Sequence, residues 1–420
     1  MSDTRAAKQT VIVGAGIVGI ACAHYLHRAG HTVRVIDRGK IGAGCSHGNC
    51  GYISPSHVLP LTEPSAIGLA IKSLFQPNAP FRVKPTLNPS RLRWFWEFAR
   101  RCTHKQMLAA AGPLKAILVS SMAEYETLIP ENGIDCEWRK SGLLFVLKTP
   151  HGVDEFRKHE RIITEQFDTP AQWLDGDELT QLEPALKPGL AGAYLYKQDG
   201  FLRPDKLTRS WAEYLKKQGV QFDEQCELQE VERKNGAISS LKTSQGTIPV
   251  DQLVIATGAW STLLARLLDC KIPIQPGKGY SVLMDRPDPC PNLPMLFPEH
   301  KVGVTPFQDR YRLGSMMEFA GYDSSIPRKR IDQLRRSAEP YLISPCTNVE
   351  YETWTGWRPM TWDSLPIIGS APGLCNTFLA TGHNMLGVSL APATGKLLTE
   401  IMTSKTPHLD ANPYSAKRFQ

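Results

Sequence analysis

Residues 10–37, TVIVGAGIVGIACAHYLHRAGHTVRVID, read as strand, tight turn, helix and second strand, in that order. Gly14 permits a sharp exit from the first strand, and Gly16 lets the backbone approach a pyrophosphate. Gly19 lets the helix pack on the sheet while its first N–H groups face the phosphates. Ala23, Leu26 and Gly30 follow at the spacing of a short packed helix. Val33, Val35 and Ile36 form a second buried strand that ends on Asp37, an acid able to accept both hydroxyls of a ribose and to disfavour a 2′-phosphate. A glycine pattern alone is a weak sign, but strand, glycines, helix and terminal acid agree on a dinucleotide site. FAD and NAD share this fingerprint, so these residues leave the choice between them open.

Working outward, three more segments bear on that choice. GKIGAGCSHGNCGYISPSH follows Asp37-Arg38 directly, a Gly-rich loop of the kind that wraps the pyrophosphate and ring of a long cofactor. DQLVIATGAWS, at 251–261, reads as a buried strand entering a Gly turn. TGWRPMTWDSLPIIG and FLATGHNMLGVSLAPATGKLL, near the far end, give a strand, a Gly-rich turn and a helix starting near Leu386. Cofactor-type turns at both ends of the chain exceed what a nicotinamide enzyme ordinarily needs.

The chain has 420 residues, 42% hydrophobic and 21% charged, which excludes a stapled mini-domain, a disordered chain and a fibre. Its ten cysteines form no CxxC pair and no Cys/His ligand spacing, so no metal site is expected and reduced thiols in a cytosol are the default. Glycines interrupt the apolar run near the N-terminus, which reads as no signal peptide, and no run of 18 apolar residues suggests a membrane span.

VIVGAGIVG with Asp37-Arg38, SHGNCGYISP, DGFLRPDKL, ATGAWS, GKGYS, WTGWRP, DSLPIIG and ATGHNMLG together resemble the D-amino acid oxidase (DAO) family of flavoproteins. The likeness is greatest to its D-amino acid dehydrogenase small-subunit branch. It runs in family order over essentially the whole chain. It implies an α/β architecture, a Rossmann-like FAD-binding domain interleaved with a mixed-sheet α+β substrate domain (a glutathione-reductase-like FAD fold). It also implies FAD and the oxidation of a carbon bearing both an amine and a carboxylate, to an imino acid that water hydrolyses.

Carried onto this chain, the resemblance places Gly14, Gly16, Ile17, Val18, Gly19, Asp37 and Arg38 against the nucleotide. Gly44, Cys45, Ser46 and Asn49 fall in the flavin-side loop, Leu228 near the adenine, and Thr257, Gly258 and Trp260 in the strand-end turn. Arg358 and the run His383, Asn384, Met385, Leu386, Gly387 and Val388 fall at the flavin edge. Sarcosine oxidase relatives bear a flavin-linking cysteine just after the WTGWRP position; Pro359, Met360 and Thr361 stand there here, so non-covalent FAD is expected. Asn49-Cys50-Gly51 and Tyr52 depart from the branch's usual loop, which leaves the substrate's identity open.

Oxidation of such a substrate calls for a fixed cation to hold the carboxylate, and a planar guanidinium that binds it bidentately orients it better than an ammonium. Arg358 is the first candidate, with Tyr280 a second hydrogen-bonding group for the same carboxylate. His383 is a candidate for contacting flavin or influencing amine protonation, and Tyr52 and His57 for reading the substrate side chain. Cys45 and Cys50 read as small filler rather than a redox pair.

The leading expectation is a dehydrogenase of D-amino acids or cyclic imino acids such as D-proline or cis-4-hydroxy-D-proline, with a respiratory quinone or other acceptor. The rivals are a glycine- or sarcosine-type oxidase that releases hydrogen peroxide, and a flavin-carrying electron-transfer or assembly subunit. Nucleotide-type segments at 1–60, 195–265 and 350–420 leave 61–194 and 266–349 for the substrate domain.

Forty-eight Lys and Arg against 41 Asp and Glu leave +7, too mild to argue for a nucleic-acid partner. The excess sits at 82–105, seven cations against Glu97 alone. There RLRWFWEFARR puts Leu92, Phe95, Trp96 and Ala99 on one helical face, with Arg93, Arg100 and Arg101 opposite and Trp94 on the flank. That suits either a helix on anionic lipid or an aromatic cap on the substrate domain. The location expected is cytoplasmic, either free or in peripheral contact with the inner face of the cell membrane.

Overall fold

A computed structural model describes residues 8–75 and 79–420. Residues 1–7 and 76–78, parts of the expected segments 1–60 and 61–194, lie outside the described residues.

The first sheet holds β1 (Gln9–Val13), β2 (Thr32–Ile36), β9 (Gln221–Asp223), β13 (Gln252–Ile255), β19 (Ile367–Ser370) and β20 (Thr377–Thr381) in the order β19-β20-β13-β1-β2-β9. All neighbours are parallel except β19, which runs antiparallel to β20. Parallel strands covered on both sides carry unbroken apolar runs, as Val11, Ile12 and Val13 do, all buried. Helices α1 (Ile17–Arg28) and α10 (Gly387–Met402) pack together on one face with α7 (Pro204–Lys217). The meander β10 (Leu228–Lys234), β11 (Ala237–Thr243) and β12 (Gly246–Pro249) covers the other face with α8 (Ala265–Leu268).

The second sheet is mixed: β18 (Glu350–Thr361), β14 (Ile274–Met284), β17 (Tyr311–Phe319), β16 (Val302–Pro306), β15 (Met295–Phe297), β5 (Leu143–Leu147), β7 (Gly192–Tyr196) and β6 (Gln172–Leu174), in that order. β4 (Phe81–Val83) pairs with β17. A two-stranded ribbon, β3 (Tyr52–Ile53) with β8 (Gly200–Phe201), ties the Gly-rich loop to the chain following β7. The remaining helices, α2 (Ser65–Phe75), α3 (Pro89–Ala99), α4 (His104–Glu131), α5 (Pro150–Phe167), α6 (Gly176–Leu182) and α9 (Arg328–Ala338), come from the two inserts.

The interleaved architecture is the expected one, with two shifts in its boundaries. Glu350–Thr361, assigned from sequence to the nucleotide half, pairs with β14 over its length and so belongs to the mixed sheet. Helix α4, assigned to the substrate half, instead packs Ile117, Leu118, Met122, Tyr125 and Leu128 into the core under α1 and α10. It is long and apolar enough, by length and composition, to cross a bilayer, a stretch the sequence reading did not anticipate. The Tyr125 hydroxyl donates to the Val388 carbonyl at 2.6 Å, fixing the start of α10.

Helix α3 is turned relative to the face expected for it. Trp94 is the buried side chain, stacked on Phe98 and donating to the Pro273 carbonyl, while Leu92 and Trp96 point outward. Glu97 is buried as well and takes both Arg100 and Arg101 as partners. The turn follows from where a large partner waits: the last residues of β17, with Met317 and Phe319, accept the indole.

Candidate active site

A cleft of about 450 Å³ runs between the two sheets. One end is lined by Asp37, Arg38, Glu227 and Leu228, the middle by Gly14, Gly16 and Gly258, and the other end by Asn49, Gly356, Pro359 and His383. Gly14 sits at φ +114°, and a Cβ there would come within 2.5 Å of the Ala256 oxygen. A Cβ on Gly19 would strike the Gly14 oxygen at 1.8 Å, so the strand-to-helix turn closes only with glycine at both places.

Two helices begin at this cleft, α1 at Gly16 and α10 at Leu386, and neither has a side-chain cap. The N–H of Ile17 donates to Ser46 Oγ at 3.1 Å, so the Gly-rich loop is fastened to the start of α1. Helix N-termini carry partial positive charge, which suits one to a pyrophosphate and the other to an electron-rich ring edge. The Asp37 carboxylate accepts from the Ala15 and Gly39 N–H groups, both at 2.8 Å, which orients it in the cleft wall. The Arg38 guanidinium lies 3.8 Å over the Trp260 ring, which stacks in turn on Tyr322. The turns after β13 and β20 are joined through hydroxyls, Thr257 to Ser261 at 2.9 Å and Ser261 to Thr381 at 2.8 Å. A long, glycine-floored cleft with an acid at one end and a second helix start at the other fits FAD, because a shorter dinucleotide half would use only one of the two helix ends.

The mixed sheet supplies the side chains. A Cβ built on Gly279 would lie 2.2 Å from Arg358 Nη1, so Arg358 crosses the sheet face on the side of Gly277 and Gly279. Its Nη1 donates to the Met316 carbonyl at 2.7 Å. Among the described residues no carboxylate lies within ion-pair distance of this guanidinium; Cys45 and Cys50 are its nearest titratable neighbours, and burial works against its charge. A second guanidinium, Arg312, is 1% exposed and donates to the His47 and Asn49 carbonyls at 3.1 and 2.7 Å. It holds the Gly-rich loop against the sheet. Sequence reading missed it, although a lone Arg amid the apolar YRLGSMMEF strand signals a buried cation with a local task.

Several candidates stand elsewhere or act differently. Tyr280, one residue beyond Gly279, points to the opposite face because strand side chains alternate. Its hydroxyl donates to Glu318, which also holds Arg330, so it does not share a ligand with Arg358. Tyr52 spends its hydroxyl on the Met295 and Val304 carbonyls, both at 3.0 Å, anchoring the loop rather than reading a side chain. His383 lines the cleft, but burial pushes its pKa down to about 3, so it stays neutral and does not titrate alongside an amine. It bonds to Thr394 at 3.0 Å, whose hydroxyl donates to the Leu390 carbonyl, so His383 Nε2 carries the proton. Asn384 lines the cleft with its side chain committed to Thr361 and Gly382. His57 is half-buried against Phe145, and burial pushes its pKa down to about 4. Burial raises the thiols of Cys45 and Cys50, and all ten cysteines are unpaired.

Beyond β3 the loop ends in a latch that sequence reading did not anticipate. Asp199, fully buried, accepts from the Ser56 N–H at 3.1 Å and from Ser56 Oγ at 2.5 Å. Burial with no cation beside it pushes the Asp199 carboxyl up to about 7.

A family model described as DAO, FAD dependent oxidoreductase, matches residues 9–401. Glycine oxidase from Geobacillus kaustophilus superposes with a TM-score of 0.80 at 22% identity, over 98% of this chain and 99% of that one. L-proline dehydrogenase from P. horikoshii gives 0.74 at 22% identity, over 98% of each chain. L-alpha-glycerophosphate oxidase from Mycoplasma pneumoniae, with FAD bound, gives 0.71 at 16% identity, over 98% of each. One fold thus serves amine donors and a phosphate ester, and only the site can speak for the substrate.

Proposed function

Since the chain belongs to the DAO family of FAD-dependent oxidoreductases, we propose that it oxidises the carbon–nitrogen bond of a small amino or imino acid, of D configuration or cyclic, such as D-proline or cis-4-hydroxy-D-proline. Bound FAD supplies the two-electron acceptor for that oxidation. The observation that carries the reading is Arg358: a half-buried guanidinium, beside the flavin-side loop, with no acid of its own among the described residues. A partly desolvated cation without an acid beside it favours an anionic ligand, and a ligand carboxylate that pairs with it bidentately fixes which carbon is presented.

The other residues serve that placement. Arg312 and Tyr52 keep the loop at 46–52 against the sheet, and Ser46 fastens it to α1. Asn384 accepts from the Thr361 N–H, and its own N–H donates to the Pro359 carbonyl, so the strand bearing Arg358 is pinned to the turn that opens α10. Neutral His383 adds no positive charge that would raise the cost of a cationic amine nearby.

The electron acceptor in this reading is a respiratory quinone or similar carrier rather than oxygen. The test is anaerobic bleaching of the flavin by a panel of D- and L-amino acids, glycine, D-proline and cis-4-hydroxy-D-proline, then reoxidation in air. Bleaching by a cyclic or D-configured amino acid with slow reoxidation is the expected result. Fast peroxide release would make the protein an oxidase, and no bleaching by any of the panel would remove the amine site.

A further inference from the structure

We propose that the face formed by α2, the connection after β4, and α3 docks on the anionic surface of a lipid bilayer. Among the described side chains of helix α2 the usual order is inverted. Ala66, Ala70 and Ser73 lie on its inner side, while Ile67, Leu69 and Ile71 are 40%, 45% and 56% exposed. Helix α3 repeats the arrangement, with Trp94 inward and Leu92 and Trp96 50% and 61% exposed; Leu87, between β4 and α3, is 94% exposed. A surface helix ordinarily turns its long apolar side chains to the core, so six outward ones on consecutive elements mark a face made for something other than water. The elements are neighbours: α2 packs beside β4, and Phe95 and Phe98 of α3 join Phe81 and Val83 of β4 in one cluster.

Charge selects the occupant. From Pro64 to Trp96 there is not one Asp or Glu, against Lys72, Arg82, Lys84, Arg91 and Arg93. Glu318 takes Arg82, but among the described residues Lys72, Lys84 and Arg93 have no acid within ion-pair distance. A second copy of the same face would set these cations against each other across a two-fold axis. An anionic headgroup layer meets them, while the isoleucines, leucines and Trp96 enter the boundary below the headgroups.

The test uses the FAD-loaded full chain and vesicles of one part phosphatidylglycerol to two parts phosphatidylcholine. Sedimentation with these vesicles at low salt is expected, at least about tenfold weaker with phosphatidylcholine alone, because each basic residue near an anionic surface adds to the attraction. Ile71→Ser with Trp96→Gln should weaken binding about tenfold or more, from the apolar burial lost. Fluorescence quenching by brominated acyl chains should fall in Trp96→Phe, a change that leaves the fold alone. No sedimentation at low salt, binding unchanged in the double variant with its flavin retained, or quenching unchanged in Trp96→Phe would each overturn the proposal. So would a dimer in light scattering that the double variant dissolves, which would give the face to a second copy.

Discussion

At the nucleotide end of the cleft the groups that face a ligand belong mostly to the backbone: the uncapped starts of α1 and α10 and the turns at Gly14 and Gly258. At the other end side chains on strands shape the site, Arg358 beside Cys45 and Cys50 of the loop and Arg312 holding that loop to the sheet. Backbone sites depend on the chain's path, so they fail when a turn cannot form. Side-chain sites depend on register and face, and a change of one position along a strand sends a group to the wrong side, as Gly279 and Tyr280 illustrate.

That contrast can be broken most directly at Arg358. Arg358→Leu should leave the bound flavin spectrum intact and lower kcat/KM for the amine substrate by on the order of 2–5 kcal/mol, roughly thirtyfold to several thousandfold. Arg358→Lys should recover part of it. Equal loss of flavin and of activity in both variants would mean that the two ends are not separable.

The latch of Asp199 on Ser56 responds to pH. The Asp199 carboxyl is pushed from an ordinary 3.8 up to about 7 in the folded protein. The unfolded chain therefore loses its proton first, and stability contributed by this group falls as pH rises from about 4 to about 7, then levels off. Asp199→Asn, neutral throughout, should match the wild type near pH 4 and exceed it above pH 7 by on the order of a few kcal/mol. Melting temperature against pH reads this, and parallel curves for the two proteins would remove the assignment.

Gly14→Ala tests the backbone end. The clash with Ala256 and the positive φ should cost on the order of 1–3 kcal/mol, seen as about a ten- to hundredfold loss of flavin affinity, while Arg358 is untouched. Apoprotein reconstitution titrated with FAD measures it. The smallest effect on catalysis belongs to Tyr280→Phe: its hydroxyl faces Glu318, so KM for the amine should move less than about twofold even as stability falls by roughly 1–3 kcal/mol. A KM change as large as that of Arg358→Leu would put Tyr280 back on the ligand's side of the sheet.

The glycine turn, Asp37 and the starts of both helices were legible along the chain because local backbone geometry is written in neighbouring residues. Gly14, Gly16 and Gly19 act on one turn, and their spacing is their function. Arg358 was legible through a motif, but its freedom from an acidic partner was not, since that depends on which residues other strands bring within reach. The pairing of Tyr280 with Glu318, the grip of Arg312 on a loop 263 residues earlier, and the latch of Asp199 on Ser56 across 143 residues have no local trace. Helix α3 makes the same point from the surface: its composition and charge are plain in the sequence, but the apolar end of β17 chose which aromatic went inward. What the sequence by itself determined is a dinucleotide-binding chain of the DAO kind with a basic, apolar stretch at 82–105. Which side chains meet, which face water and which lie buried without a partner was decided by tertiary structure, because burial and pairing are properties of residues distant in the chain and adjacent only once it is folded.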